Sequence, residues 1–293
     1  MARELEGKIA IVTGASRGIG EATAERLASA GAIVIAAART VGDEAEPQID
    51  TLANTVAQIR GRGDEAHAYK LDVGDPASRE SFMNAVLERF GRVDVLVNNA
   101  AGGGYGKRTW EMSDGQFRYI YELNVFGPRD LCVRALPGML ERGYGRIVNV
   151  CSTIADRAAP NIEGPPFLDF HRESGVAAYS SSKSALNLFT RSLAAELHGK
   201  GITANTVAPV NSVMTRSARN LIESGKISAD RMKSPEDPEV MAEAVLALCL
   251  GDPEKETGLT TYSGQYLARI GRAVRGRDGA PFDAKVTVDS VKY

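Results

Sequence analysis

The chain has 293 residues, of which 43% are hydrophobic and 25% are charged, and this composition is typical of a soluble globular protein. It excludes a disordered, collagen-like or membrane-spanning chain. The 35 lysine and arginine residues nearly balance 37 aspartate and glutamate residues, so a net charge of -2 leaves no global positive field for a nucleic acid or an anionic membrane.

The cysteines and the first residues of the chain favour a reducing, cytoplasmic location. Cys132, Cys151 and Cys249 lie in separate apolar runs and form no CxxC motif or cysteine–histidine cluster, so we expect reduced core residues and no metal site. The first eight residues carry two glutamates where a signal peptide requires basic and then apolar residues. The apolar run at 240–250 contains a glutamate and is far shorter than the roughly 20 residues of a membrane helix.

Short β-branched runs alternate with longer amphipathic stretches along the chain. Strands are predicted at 9–13, 32–38, 67–73, 93–99, 146–152, 202–208 and 259–263. Helices are predicted from the first glycine loop to residue 30, in a stretch that ends at 62, and at 77–90, 114–141, 178–198 and 236–250. Strands that are apolar along their whole length suit a parallel sheet covered on both faces. The pattern predicts an α/β fold: a Rossmann-type, doubly wound, seven-stranded parallel sheet with six helices.

Three stretches do not fit this alternation. Residues 41–50 are acidic and turn-rich, residues 154–177 contain three prolines, and residues 264–293 follow the last strand. Long loops in compact domains are usually functional or mobile. We expect a single domain over 1–293 with its core at about 7–263, an inserted loop and a C-terminal extension. Weak alternation near the end of the extension indicates an edge strand or an arm onto another subunit.

The first predicted strand ends in TGASRGIG, a glycine-rich turn between a buried strand and a helix. Glycines there let the backbone approach a phosphate at the N-terminus of the helix. The pattern predicts a dinucleotide-binding loop, although a tight turn without a ligand is the alternative. The loop residues assigned to the cofactor are Gly14, Ser16, Arg17, Gly18, Ile19 and Gly20.

The end of the second predicted strand indicates which dinucleotide is bound. An acidic side chain there accepts a hydrogen bond from a ribose hydroxyl, whereas an arginine pairs with a ribose phosphate. This strand ends in Arg39, and Arg17 of the glycine loop supplies a second guanidinium on the same side. Two arginines in a pocket without acidic residues favour NADP(H). NAD(H) stays possible if Asp43 or Glu44 folds back onto the ribose, or if both arginines are solvated.

Tyr179 and Lys183 are four residues apart, which places both side chains on one face of a predicted helix. A phenol with an ordinary pKa near 10 must reach about 7 to exchange protons at cellular pH, which requires about 4 kcal/mol. An ammonium at about 4 Å supplies roughly 4 kcal/mol at an effective dielectric constant of about 20. The pair therefore predicts a tyrosine that acts as general acid and base.

Two further polar residues are candidates for the same site. Ser152 closes the fifth predicted strand, where its hydroxyl would point into the crevice of Tyr179 and hold a substrate oxygen. Serine is also common at strand ends without such a role. Asn124 lies within the predicted long helix, where a polar side chain is unfavourable unless it is hydrogen-bonded. A satisfied core asparagine is the alternative.

Together, TGASRGIG, the NNA sequence at 98–100, Asn124, Ser152 and the YSSSK sequence resemble the short-chain dehydrogenase/reductase superfamily over about residues 7–263. The resemblance implies a catalytic tetrad of Asn124, Ser152, Tyr179 and Lys183. In it the tyrosine moves the proton, the lysine lowers the tyrosine pKa and bonds the nicotinamide ribose, the serine orients the carbonyl, and the asparagine holds a water. Hydride passes between the nicotinamide and the substrate carbon.

The resemblance also implies further cofactor contacts. The residues expected around the adenine and adenosine are Asp72, Val73, Asn98 and Ala100. Where the family has NNAG, this chain has a second alanine and the glycines 102–104, which indicates a more mobile loop. Where the family has Pro-Gly after the sixth strand, β-branched Val210 disfavours positive φ. The nicotinamide-end contacts then carry over to Pro209, Val213 and Thr215 with one inserted residue.

The spacing of 27 residues between Ser152 and Tyr179 is about twice the usual spacing in the family. The inserted loop contains Phe167, Leu168 and Phe170. These apolar residues favour either coverage of a large hydrophobic ketone or secondary alcohol, or packing in an oligomer interface.

The sequence therefore predicts an NADP(H)-dependent oxidoreductase for a small-molecule carbonyl or alcohol, with no nucleic acid or membrane partner. The resemblance implies a homo-oligomer, tetramer or dimer, assembled through exposed long helices. The alternative is a non-catalytic NADP-binding sensor or scaffold of the same fold. The presence of both Tyr179 and Lys183 disfavours it. The fold alone does not name the substrate.

Overall fold

The part of the chain that the structure describes is built around a seven-stranded sheet. A computed structural model describes residues 3–43, 45, 49–103, 107–156, 175–210, 212–224 and 235–284. The strands are β1 (Ile9–Thr13), β2 (Ile33–Ala38), β3 (Ala66–Lys70), β4 (Val95–Asn98), β5 (Gly145–Val150), β6 (Ile202–Ala208) and β7 (Thr260–Tyr262). All neighbouring strands are parallel, in the order β3-β2-β1-β4-β5-β6-β7. The predicted fold class, a Rossmann-type parallel sheet, is therefore confirmed.

Helices follow most of the strands. They are α1 (Gly18–Ser29), α2 (Leu52–Gly61), α3 (Pro76–Phe90), α4 (Asp114–Tyr121), α5 (Gly127–Arg142), α6 (Ala177–Leu197), α7 (Arg216–Glu223), α8 (Pro238–Leu250) and α9 (Ser263–Ile270). A π-helical segment, Glu122–Phe126, joins α4 to α5, and short 3-10 turns lie at Thr109–Glu111 and Thr153–Asp156. The prediction of six helices is wrong, because α7 and α9 are too short to give a clear periodic pattern and one predicted helix is divided.

Both faces of the sheet are covered, because successive strand residues point to opposite sides. Along β1, Ala10 and Val12 pack in a core formed with α1, α8 and α9. Ile9 and Ile11 pack in a second core formed with α3, α5 and α6. The carboxyl ends of the parallel strands consequently lie along one edge, where the loops that follow them meet.

The long helix predicted across α4 and α5 is interrupted by the π-helical segment. Pro128 has no N–H and cannot close a normal helical turn onto the carbonyl of Asn124, four residues earlier. The N–H of Gly127 instead donates to the carbonyl of Glu122, five residues earlier. Glycine is also needed for packing, since a Cβ on Gly127 would lie 2.5 Å from Val73 Cγ1. Such turns are frequent at functional sites, and this one carries Asn124.

Two boundaries differ from the prediction for identifiable reasons. β3 ends at Lys70 rather than at residue 73, because the N–H of Asp72 donates to the Ser78 hydroxyl at 2.9 Å instead of to a neighbouring strand. α9 begins directly after β7 and buries Tyr266, which is 1% exposed, in the core. The residues that follow the last strand therefore complete the core.

Parts of the predicted inserted loop and of the C-terminal extension lie outside the described residues. These parts are 157–174, with its three apolar residues, and 285–293; Glu44 and Gly104 also lie outside. All three cysteines are buried with free thiols. Across the described ranges, no helix combines the length and the hydrophobicity that a bilayer crossing requires.

Candidate active site

The glycine loop between β1 and α1 leaves its backbone open to a ligand. Gly14 and Gly18 have φ angles of 67° and 63°, which residues with a side chain rarely adopt. A Cβ on Gly14 would lie 2.9 Å from the Asn99 amide nitrogen, and one on Gly20 would overlap the Gly14 carbonyl oxygen. Arg17 occupies the N-cap position of α1 without a side-chain cap. The first N–H groups of α1 are therefore not capped by that residue, an arrangement that suits an anion.

The end of β4 holds the glycine loop in place. The Thr13 hydroxyl accepts hydrogen bonds from the N–H groups of Asn99 and Ala100, each at 3.0 Å. The Asn99 amide donates to the carbonyls of Thr13 at 2.8 Å and of Gly14 at 3.3 Å. Asn99 is therefore a supporting residue that the sequence reasoning missed, although the NNA sequence contained the signal.

The side chain of Asn98, predicted to line the adenosine side, is turned into the core instead. Asn98 is 2% exposed, and its amide donates to Asn149 Oδ1 at 2.8 Å. The Asn149 amide in turn donates to the Thr190 hydroxyl at 2.7 Å. Neighbouring residues of an extended chain face opposite sides, so Asn99 rather than Asn98 contributes its side chain to the cleft wall.

The glycine loop opens onto a cleft of about 410 Å³. The predicted cofactor residues that line this cleft are Gly14, Ser16, Arg17, Gly18, Ile19, Gly20, Arg39, Asp72, Val73, Ala100 and Thr215. The sequence reasoning missed further lining residues, among them Thr40, Asp50, Leu71, Asn99 and Leu123. Residues that follow five strands, β1, β2, β3, β4 and β6, thus converge on one cleft.

The cleft wall contains carboxylates, so the expectation of a pocket without acidic residues is wrong. Asp50 lines the cleft, and its carboxylate pairs with Arg216 Nη1 at 3.1 Å. The Asp72 carboxylate accepts a hydrogen bond from the Gly74 N–H at 2.9 Å. The chain returns to the cleft at the end of the acidic stretch 41–50, and nothing in the sequence pattern indicates that return.

Tyr179 and Lys183 lie one turn apart on α6, as their spacing predicts. Lys183 is 1% exposed, and its Nζ lies 5.9 Å from the centroid of the Tyr179 ring. The same Nζ donates to the carbonyl of Val150, the last residue of β5, at 2.8 Å. Burial lowers the pKa of Lys183, and the neighbouring Cys151 thiol opposes this change. The lysine is therefore held in a poorly hydrated position beside the phenol.

Ser152 lies two residues beyond β5, on the chain that contacts α6. Cys151 Sγ donates to the carbonyl of Lys183 at 3.4 Å, which adds to the bond between the Lys183 ammonium and the end of β5. The Ser152 hydroxyl oxygen accepts a hydrogen bond from the Ile154 N–H at 3.4 Å. These contacts bring Ser152 to the edge of the sheet where Tyr179 and Lys183 lie.

Asn124 is fully buried and joins the loop after β4 to α6. Its amide nitrogen donates to the Gly102 carbonyl at 3.2 Å and to the Ser182 hydroxyl at 3.1 Å, and its amide oxygen accepts from the Gly102 N–H at 3.3 Å. The Ser182 hydroxyl donates to the carbonyl of Tyr179 at 2.7 Å. Asn124 is thus a satisfied core asparagine whose network ends at the helical turn of Tyr179.

The segment after β6 closes one side of the cleft. Of the three residues predicted for the nicotinamide end, Thr215 lines the cleft, whereas Pro209 and Val213 do not. Thr215 meets the glycine loop closely, since a Cβ on Gly18 would lie 3.1 Å from Thr215 Cγ2. Val213 pairs with Glu236 in an isolated parallel bridge. The cofactor contacts predicted for Pro209 and Val213 stay a prediction.

A second cavity of about 390 Å³ lies beside the tyrosine helix. Its walls include Trp110, Ile154, Val176 and Ser180. Trp110 is 78% exposed, and the Arg108 guanidinium lies 5.5 Å from the centroid of its ring. Ile154 lies close to Ser152 in the sequence, and Val176 and Ser180 lie close to Tyr179, so this cavity adjoins the segments that carry the candidate catalytic residues.

The chain matches known oxidoreductases over most of its length. The family model described as short chain dehydrogenase matches residues 8–165 and 168–224. The chain is 33% identical over 267 residues to 3-oxoacyl-[acyl-carrier-protein] reductase FabG of Vibrio cholerae, covering 90% of this chain and 99% of the relative. It is 29% identical to 7alpha-hydroxysteroid dehydrogenase of Escherichia coli, covering 92% of this chain and 96% of the relative.

A solved structure agrees with these matches. An actinorhodin polyketide ketoreductase crystallised with NADPH superposes on this chain with a TM-score of 0.72 at 32% identity, covering 89% of this chain and 97% of the ketoreductase chain. The resemblance seen in the sequence motifs is therefore confirmed. The chain belongs to the short-chain dehydrogenase family, and it is an oxidoreductase of the class that interconverts CH–OH and C=O groups.

Proposed function

We propose that the protein is an NADP(H)-dependent oxidoreductase that transfers hydride between the nicotinamide and a bulky, hydrophobic carbonyl or secondary alcohol. One observation carries the proposal: the buried Lys183 amine lies 5.9 Å from the Tyr179 ring centroid and donates to the carbonyl at the end of β5, a neighbour of β4, whose end lines the glycine-loop cleft. A basic group in so poorly hydrated a position is unfavourable for stability, and such groups cluster at functional sites.

The cleft suits a dinucleotide that carries a ribose phosphate. The glycine loop has no room for a Cβ at Gly20, and α1 begins without a side-chain cap. Arg17 and Arg39 line the same cleft and would bind the 2′-phosphate through charge-assisted hydrogen bonds. Asp72 and Val73 would border the adenine. When bound, the cofactor supplies or accepts the hydride. NAD(H) lacks the phosphate and would bind more weakly.

The proton would move through Tyr179, which donates it to the carbonyl oxygen in reduction and accepts it in oxidation. The Ser152 hydroxyl would donate a hydrogen bond to the same oxygen and stabilise the negative charge that develops there. The ammonium of Lys183 would stabilise the phenolate left on Tyr179. Because Lys183 is buried, this attraction is little weakened by water.

Asn124 would contribute through its main chain as well as its side chain. The side chain is already bonded to Gly102 and Ser182. Pro128 deprives the Asn124 carbonyl of its usual helical N–H partner. That carbonyl is therefore the group we assign to a water of the proton relay.

The second cavity and the relatives support a bulky, hydrophobic substrate. Trp110, Ile154 and Val176 supply large apolar side chains to the cavity wall beside α6, and serine, threonine and arginine residues supply its polar part. One relative is named a hydroxysteroid dehydrogenase and one solved structure is named a polyketide ketoreductase, and these names support a large hydrophobic ketone or alcohol here. The inserted loop at 154–177 would cover the substrate, with packing in an oligomer interface as the alternative.

We further propose a cytoplasmic homo-oligomer, tetramer or dimer. The large apolar side chains of Phe117, Tyr119 and Phe126 are exposed on α4 and the π-helical segment, which suits burial against another copy. Light scattering on the purified protein tests this assembly, and a monomeric mass would overturn it.

A substrate panel with matched variants tests the proposed reaction. Aldehydes, ketones and secondary alcohols of increasing size are followed by nicotinamide absorbance with NADP(H) and NAD(H). We expect turnover of bulky substrates, and we expect Tyr179→Phe to lower kcat at least about 100-fold while the Kd for NADPH changes less than about twofold. Full activity of this variant would overturn the mechanism. Tight NADPH binding without turnover on any substrate would favour the sensor.

A further inference from the structure

A buried carboxylate lies beneath the segment that follows β6. Glu236, which is 0% exposed, accepts a hydrogen bond from the N–H of Val210 at 3.2 Å. The hydroxyl of Ser263, the first residue of α9, lies 2.9 and 2.8 Å from the two carboxylate oxygens. One side chain thus joins the end of β6 to the start of α9, and the mechanism above gives it no role.

Main-chain hydrogen bonds add to this attachment. The N–H of Glu236 donates to the carbonyl of Ser212 at 2.9 Å, and the N–H of Met214 donates to the carbonyl of Glu236 at 2.9 Å. The next residue, Thr215, lines the cofactor cleft and meets Gly18 of the glycine loop. A change that weakens the contacts of Glu236 is therefore expected to weaken the position of Thr215 in the wall of the cleft.

The carboxyl group of Glu236 changes its charge near neutral pH. Burial raises its pKa to about 7, and the negative charge of Asp237 adds to this effect. The hydrogen bonds from Ser263 and from the Val210 N–H act in the opposite direction but are too weak to cancel it. If the segment moved away and water reached the carboxylate, the pKa would fall toward the usual value of 4.5.

We propose that Glu236 is a positioning residue whose protonation state sets how firmly Val210 and the residues 212–215 close the cofactor cleft. The protonated carboxyl keeps its contacts without burying a charge, and so favours the closed segment. The ionised carboxylate is better hydrated when the segment opens. The proposal rests on the proposed function, because the ligand of the cleft is taken to be a nicotinamide dinucleotide.

The direction of the pH effect follows from the two pKa values. The closed form has the higher pKa, so it binds the proton more tightly than the open form. The free energy that protonation of Glu236 contributes to closure is therefore greatest below the ordinary glutamate pKa, and it is lost as the pH rises through about 7. Dinucleotide affinity should fall in the same interval.

Binding titrations from pH 5.5 to pH 8.5 test the proposal on the full chain, with NADH fluorescence as the signal. NADH is used because it lacks the 2′-phosphate, which itself titrates near pH 6. We expect the Kd of the wild type to rise about five- to tenfold over this range. The neutral, nearly isosteric Glu236→Gln should show a flat profile, whereas the control Glu239→Gln, which loses an ion pair with Arg277, should follow the wild type.

Two further measurements separate positioning from a general structural role. Ser263→Ala removes a hydrogen bond that lowers the pKa of Glu236, so the midpoint of the pH profile should move upward. Adenosine 5′-monophosphate, which lacks the nicotinamide half, should bind wild type and Glu236→Gln with the same pH dependence. If Glu236→Gln does not fold, the shifted midpoint of Ser263→Ala still decides the question.

A pH profile for NADH that is identical in the wild type and in Glu236→Gln would overturn the proposal, as would an unshifted midpoint in Ser263→Ala. These readouts are binding constants and do not depend on turnover. Failure of the proposed function would appear instead as full activity of the Tyr179→Phe variant, so the two failures are distinguishable.

Discussion

The two ends of the proposed active site hold their polar side chains in opposite ways. At the catalytic end, Lys183 and Asn124 are 1% and 0% exposed, and bonds from β5, α6 and the π-helical segment fix them. At the ribose end, Arg17 and Arg39 are exposed on the glycine loop and at the end of β2. Both ends lie on the same edge of one sheet, yet only the catalytic end is organised by burial.

The difference reflects what each end must do. Proton transfer depends on groups that are fixed and poorly hydrated before the substrate arrives, because preorganised charges act strongly in a low dielectric. Recognition of a phosphate tolerates exposed, long side chains that become ordered on binding, although salt screens their attraction. Substitutions at the catalytic end should therefore change kcat strongly, and those at the ribose end should change cofactor affinity modestly and in a salt-dependent way.

The largest effect is expected from Lys183→Met, which replaces the buried amine with an apolar chain of similar length. Without the ammonium the phenolate of Tyr179 loses its stabilisation, so kcat should fall about 100- to 1000-fold. Exposed Lys200 on the loop after α6 supplies the matched control, and Lys200→Met should keep its kcat. Steady-state kinetics at saturating cofactor measure both variants.

The same variant carries a stability signature with a defined sign. Burial lowers the pKa of Lys183, so the folded protein holds the charged lysine less well than the unfolded chain does. The wild type should therefore gain stability relative to Lys183→Met as the pH rises toward the ordinary lysine pKa of 10.5. Thermal unfolding between pH 7 and pH 10.5 measures this difference. A difference that does not vary with pH would contradict the assigned burial of charge.

The sequence predicted the catalytic end better than the ribose end, and the reason is physical. Tyr179 and Lys183 belong to one helix, whose period alone places residues four apart on one face. The parallel arrangement of the strands likewise follows from their continuous apolar runs. Asp50, by contrast, lines the cleft at the end of the stretch 41–50, whose sequence has no periodicity that would place it there.

Asn98 and the π-helical segment show where local patterns are ambiguous. The NNA sequence marks the end of β4, but it does not say which of Asn98 and Asn99 faces the cleft, because adjacent residues alternate sides. Pro128 lies inside the predicted long helix, and a proline in a helix interior is a signal of interruption that the prediction of a continuous helix did not use. The outcome of that interruption, a π turn at Asn124, depends on the close packing of Gly127 against Val73, which only the fold reveals.

A smaller effect is expected at the ribose end from Arg39→Ala. Loss of a charge-assisted contact to the 2′-phosphate should raise the Kd for NADPH about tenfold and change the Kd for NADH less than about twofold. Arg191, exposed further along α6 and absent from the cleft wall, supplies the control Arg191→Ala. Fluorescence titrations with both cofactors give the ratio. Equal losses for NADPH and NADH would show that Arg39 contacts a part shared by the two cofactors.

The smallest effect is expected from breaking the ion pair between Asp50 and Arg216. Both side chains are partly exposed, unlike the buried groups at the catalytic end. Arg216→Ala leaves an unpaired carboxylate in the cleft that contains Arg17 and Arg39, so the 2′-phosphate meets a repulsive charge. Surface pairs contribute about 0.2–1 kcal/mol, so the Kd for NADPH should rise about two- to threefold. Adding Asp50→Asn should restore the affinity, and high salt should remove the difference. Since NADH carries no 2′-phosphate, its Kd should hardly change in Arg216→Ala. An equal rise in the Kd for NADH would show that the ion pair acts by closing the cleft rather than by neutralising a charge near the 2′-phosphate.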